Sequence, residues 1–150
     1  MFGGGRISAQ HGDVRSLPFK DKQFDFCFSN SVLEHVGTLY DQRLAAAEIS
    51  RVADGYFIQT PNRLFPIEPH FLVPGWQFLP IWIRALALQN SRIGWMQRQR
   101  DPLLARAEVE QVRLISIGEL RALFPDGRIW REKVGPLTKS LVAWKEPTTI

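Results

Sequence analysis

The feature that most constrains this chain is a strand, helix and strand in succession near its middle. Residues 24–29, Phe-Asp-Phe-Cys-Phe-Ser, are an almost continuous aromatic and β-prone run, the pattern of a strand covered on both faces. Thr38-Leu39-Tyr40-Asp41 has the spacing of a capping box, in which a hydroxyl and a carboxylate three residues apart satisfy each other's backbone N–H. An Ala- and Leu-rich helix through Val52 follows, and Asp54-Gly55 reads as its end. Residues 56–60, Tyr-Phe-Ile-Gln-Thr, form a second strand closed by Pro61-Asn62. A connection of that length does not make a hairpin, so the two strands are expected to be parallel, with a right-handed crossover and with the first strand interior. The fold class is therefore α/β.

The flanks add elements to this unit. Residues 7–11 alternate weakly and stop at Gly12-Asp13, which predicts a short strand running into a turn. Beyond Asn62, Pro66, Pro69, Pro74 and Pro80 break an aromatic-rich segment that no regular element can span. That segment is expected to be a long ordered loop or lid. Helices are predicted over 80–90 and 102–112, each opened by a proline. A capping box at Ser116 to Glu119 starts another helix, and strands at 128–134 and 140–144 have hairpin-like spacing across Gly135-Pro136. With 150 residues the chain has room for one ordinary domain, 1–150, in which 63–113 reads as an inserted loop and helical segment for substrate binding or lid closure.

Charge and cysteine usage bound the partners. A net charge of +4 permits contact with anions without demanding it, so no nucleic-acid partner is expected. The single Cys27 has no internal disulfide partner and lies in an apolar run, the setting of a buried reduced thiol, which points to the cytoplasm. Residues 71–88 are greasy but interrupted by Pro74, Gly75, Gln77, Pro80 and Arg84, and are not expected to cross a membrane. Six arginines between 84 and 113 read as a solvated helical face. The competing reading, given Trp76, Trp82 and Trp95 nearby, is a peripheral membrane contact through 71–100.

The titratable candidates each carry two readings. Glu34 and His35 are a solvated pair or an acid–base couple, and Glu68 and His70 are a loop salt bridge or the groups that meet a nucleophile. The three histidines and one cysteine show no ligand spacing, so no metal site is expected.

Five pieces in order carry a resemblance: Gly12 through Phe19 (Gly-Asp-Val-Arg-Ser-Leu-Pro-Phe), Phe24-Asp25-Phe26, Ser29 through Val36 (Ser-Asn-Ser-Val-Leu-Glu-His-Val), Glu48 through Val52, and Thr60-Pro61-Asn62. Together they resemble the later half of a class I S-adenosylmethionine-dependent methyltransferase. The resemblance implies a Rossmann-like methyltransferase sheet, incomplete at the N-terminus, with parallel central strands and an antiparallel C-terminal pair. It implies S-adenosylmethionine as cofactor, with Asp13 accepting from the adenine amino group, Val14 lying against the base, and Asn30 and Ser31 near the methionine end. Asn30 and Ser31 are equally suited to cap a helix near Val32. Glu34, His35 and His70 are the groups able to take the proton of a small-molecule hydroxyl acceptor, and Glu68 stands beside His70.

The chain departs from the family in one respect. The strand and glycine-rich turn that hold the methionine end, and the second strand whose terminal acid binds the ribose, are not recognisable, and Gly3-Gly4-Gly5, with two residues before it, reads as a flexible start. In the family's sheet those strands lie between the third and fourth, so the resemblance implies an outer strand apart from the main sheet and unpaired interior edges. The expectation is a truncated domain whose methyl transfer is impaired. The alternative is a non-catalytic remnant or interaction subunit.

Overall fold

The structure, a computed structural model, describes residues 7–148, so the reading of Gly3-Gly4-Gly5 lies outside the described residues. Strands β1 (Phe24–Asn30), β2 (Ala53–Pro61), β3 (Arg128–Val134) and β4 (Leu137–Lys145) form one sheet in the order β1-β2-β4-β3. The parallel pair places Cys27 opposite Tyr56 and Asn30 opposite Gln59. β4 runs antiparallel to both β2 and β3, giving the expected terminal pair. Helices α1 (Leu39–Val52), α2 (Ile81–Asn90), α3 (Pro102–Glu110) and α4 (Ile117–Leu123) complete the fold, with 3-10 turns at Leu33–His35 and Trp76–Phe78.

Alternation along the strands decides which face is covered. Tyr56 and Ile58 of β2 and Leu141 and Ala143 of β4 are buried with Ala45, Ala46 and Ile49 of α1 and Leu120 of α4. Both of these helices start at capping boxes, Thr38 with Asp41 and Ser116 with Glu119. The intervening residues Phe57, Gln59 and Val142 face the other way, into an open cleft.

The insert has a core of its own. Phe71, Trp76, Leu88, Ile93, Ala105 and Val109 are buried together, drawn from α2, α3, the segment between them and the loop before α2. Phe71 and Trp76 stack with centroids 4.7 Å apart. The return of the chain is tight at Gly94, which has φ +55°, and a Cβ there would lie 2.3 Å from the Phe71 carbonyl oxygen. Only glycine tolerates both conditions. Trp76 is therefore a core residue, whereas Trp82 and Trp95 are exposed.

Three expectations are corrected. Among the described residues β1 is an edge strand, with β2 as its one neighbour, and Phe24, Phe26 and Phe28 are 39%, 46% and 68% exposed. An aromatic run records strand tendency, not the number of neighbours. Residues 7–12 form no strand, and the isolated bridge between Asp13 and Ser16 is a turn; no strand among the described residues lies beside them. Asp54-Gly55 does not end α1, which passes directly into β2 at Ala53. Gly55 answers a packing need instead, since a Cβ there would meet Pro147 and the Lys145 carbonyl at 2.7–2.8 Å.

The folded contacts also explain why distant motif pieces occur together. The Arg51 guanidinium donates to the carbonyls of Leu17 and Phe19, and Glu48 accepts from the Leu17 N–H at 2.7 Å. One turn of α1 thus clamps the loop that carries Leu17-Pro18-Phe19.

Candidate functional site

The site is assembled where the carboxyl ends of β1 and β2 meet the insert. At the end of β1, Ser31 adopts φ +53°, a region that L side chains enter at a cost of about 1 kcal/mol or more. Its N–H donates to the Gln59 carbonyl at 3.1 Å, and its hydroxyl donates to Gln59 Oε1 at 3.1 Å. Neither Asn30 nor Ser31 caps a helix, because the following turn starts at Val32 without a side-chain cap. Both instead line the cleft, of about 890 Å³, with Phe57, Gln59 and His70.

The turn Leu33–His35 is fixed from beneath. Buried Gln42 donates from Nε2 to the Leu33 and Arg113 carbonyls, each at 3.0 Å. The Arg113 N–H donates to the Glu34 carbonyl at 2.8 Å, while its guanidinium donates to Gln42 Oε1 and Glu119 Oε1. These bonds bury Glu34 completely. Thr60 Oγ1 donates to Glu34 Oε2 at 3.0 Å, and Glu34 Oε1 is buried without a hydrogen-bond partner.

The insert supplies the second half. Glu68 is 2% exposed, and its Oε2 accepts from the N–H groups of His70 and Phe71 at 2.9 and 2.7 Å. Its Oε1 lies 2.5 Å from His70 Nδ1. This hydrogen bond favours the charged imidazole and holds the His70 pKa above its ordinary value against the opposing effect of burial. With Nδ1–H donating to Glu68, the neutral His70 ring presents a lone pair at Nε2. That atom stands 3.1 Å from His35 Nε2, and the two rings are perpendicular.

Glu68, His70 and His35 are thus brought together across 35 residues of sequence. Glu68 and His70 bond each other within the loop, and His70 lines the cleft. Glu34 and His35 are neighbours in sequence but do not bond each other; Glu34 turns to Thr60 and His35 to His70.

Asp13 and Val14 lie apart from this cleft lining. Asp13 closes a turn, its carbonyl accepting from the Ser16 N–H. Both its carboxylate oxygens accept from Arg15, which holds its pKa below the ordinary value. Arg15 also bridges to Asp41 in the first turn of α1, so the Asp13 loop is tied to the helix that follows the carboxyl end of β1. Val14 is partly buried against the main core.

The basic run of the insert does not present one charged face. Arg106 pairs with Glu110, Arg113 is spent on Gln42 and Glu119, and Arg84 is partly buried. Burial pushes the Cys27 thiol pKa up, as suits an unreactive thiol. No helix among the described residues is long and apolar enough to cross a membrane.

Sequence reasoning missed Thr60, Gln42 and Arg113 as the groups that set the site. Thr60 stood within a quoted motif, whereas Gln42 and Arg113 carry no local signal, their partners being 71 residues apart.

Comparison with known proteins agrees with this architecture. Residues 3–58 match the family model described as "Methyltransferase domain". Two uncharacterized proteins from two strains of Mycobacterium tuberculosis are each 37% identical over 54 residues, 36% of this chain. The match spans 18% of the length of those relatives. Among solved structures, a SAM-dependent methyltransferase from Methanosarcina mazei shares the fold with a TM-score of 0.51 and 17% identity, covering 95% of this chain and 69% of that one. A Rhodobacter sphaeroides chain named as a Zn-dependent alcohol dehydrogenase has a TM-score of 0.52 at 11% identity, over 95% of this chain and 66% of that one, a likeness of fold alone. Residues 3–58 are thus similar to a methyltransferase domain, and the chain as a whole shares the α/β fold of a SAM-dependent methyltransferase.

Proposed function

We propose that the chain serves methyl transfer from S-adenosylmethionine to a small-molecule acceptor, with the methyl acceptor seated in the cleft beside His70. The observation that carries this reading is the cleft itself, which opens at the carboxyl ends of parallel strands and is walled by Asn30, Ser31 and His70. Displacement at a sulfonium needs alignment and exclusion of water more than it needs a strong base. For a hydroxyl acceptor, His70 Nε2 takes the proton, with Glu68 holding the ring and stabilising the imidazolium. Asp13 and Val14 take the adenine in this reading, on condition that Asp13 shares its carboxylate between Arg15 and the base.

A second reading is favoured by a different observation. The exposed Phe24, Phe26 and Phe28 lie on an edge strand whose outer backbone groups can pair with a further strand, as in a subunit that works by association.

Calorimetric titration with S-adenosylhomocysteine separates the two. Saturable heat with micromolar affinity supports the transferase reading. A folded, monodisperse sample that gives no heat removes it for this chain and leaves the association reading.

A further inference from the structure

The cluster at the seam has a property that proton transfer does not explain. A carboxylate oxygen of Glu34 and one ring nitrogen each of His35 and His70 all lie within 4.8 Å of one another. A hydrogen bond between the two imidazoles accounts for the 3.1 Å between their Nε2 atoms. It leaves Glu34 unexplained, because this carboxylate is wholly buried and its Oε1 accepts from nothing. A buried polar oxygen without a partner is unfavourable.

We propose that Glu34, His35 and His70 form a binding site for a divalent transition-metal cation of the zinc class. Two imidazole nitrogens and one carboxylate oxygen are the donor set such cations take, with a fourth position left open for an oxygen ligand. A tetrahedron with bonds of about 2 Å places its ligand atoms about 3.3 Å apart. The two histidine nitrogens, at 3.1 Å, already stand near that spacing, and Glu34 needs to close by at most about an ångström or two from within the 4.8 Å limit.

Glu68 supports the same assignment. By accepting from His70 Nδ1 it fixes the tautomer that leaves Nε2 free to bind, the arrangement in which a carboxylate orients a metal-binding histidine. Backbone bonds from His70 and Phe71 lock Glu68 in turn, so the ring is aimed before any ion arrives. His70 also lines the cleft, which puts the open position within reach of a hydroxyl or phenolic oxygen on the acceptor. With the cation in place the two histidines are ligands, and the cation's charge takes over from them the task of favouring the deprotonated oxygen. The inference rests on the geometry of the cluster and holds whether or not the chain binds S-adenosylmethionine.

The probe is zinc chloride, titrated calorimetrically into the chelator-stripped chain with no nucleoside present. One zinc per chain is expected. His35→Ala, at an exposed position, and His70→Ala should each weaken binding at least about 10-fold, Glu68→Gln by about 10- to 100-fold, and His11→Ala should leave it unchanged. Circular dichroism identifies the variants that remain folded. Cobalt substitution should give the visible absorption of a four-coordinate site in the parent chain and lose it in His35→Ala. If the folded parent binds no zinc, or if folded His35→Ala binds it as tightly as the parent, the site does not exist.

Discussion

The sheet with α1 and α4 and the helical insert are built on different plans. The core of the first joins residues as far apart as Leu33 and Ala143, so its packing exists only once the whole chain has closed. The core of the second runs from Phe71 to Val109 and is local. Local packing makes a unit that can open without unfolding its neighbour, whereas long-range packing yields only to global unfolding. The titratable cluster lies where the two meet, with Glu34 and His35 from the sheet side and Glu68 and His70 from the insert. Opening of the insert alone would separate Glu68 and His70 from Glu34 and His35 and leave the core of the sheet packed.

The largest effects come from the two cores. Ile58→Ala and Leu88→Ala each remove a fully buried aliphatic side chain and should each cost about 2–5 kcal/mol locally. Hydrogen exchange should show protection lost everywhere in Ile58→Ala, but only in α2 and α3 in Leu88→Ala. Equal loss in β2 and β4 for Leu88→Ala would break the contrast between the regions. Thr38→Ala, which opens the capping box of α1, should lower the stability of the sheet side by about 1 kcal/mol in denaturant titration and leave exchange in the insert unaltered.

Acid gives a smaller test of the same contrast. Bonds from Thr38 and Arg15 hold the Asp41 carboxyl at about 2, below its ordinary 3.8. A depressed carboxyl pKa means that the contribution is fully present above pH 3.8 and is lost as pH falls through about 2. The start of α1 should therefore loosen in that window, as seen by hydrogen exchange at acid pH. In Thr38→Ala the onset should move to higher pH.

What the sequence revealed was set by the range of each interaction. Both capping boxes were legible because their partners are three residues apart, and the parallel pair was legible because an α1-length crossover admits no hairpin. The exposure of β1 was not legible in its own pattern, because Phe24, Phe26 and Phe28 have the same composition at an edge as in an interior; only the missing strands of the resemblance implied an unpaired edge. Glu68, His70 and His35 could be named as titratable candidates, but their convergence could not, since a spacing rule does not see a contact across 35 residues. The burial of Glu34 depends on Gln42 and Arg113, and nothing in the local pattern of either marks it.

The most direct test of a site shared by the two regions is amide NMR of the labelled chain during titration with S-adenosylhomocysteine. Saturable shifts are predicted at Asp13, Val14, Asn30 and Ser31 on the sheet side, extending to His70 where the insert closes the same cleft, with Leu120 and Phe124 of the covered core unmoved. Shifts that spare Asp13, Val14, Asn30 and Ser31, or no saturable shift in a folded sample, would contradict the proposed cofactor site.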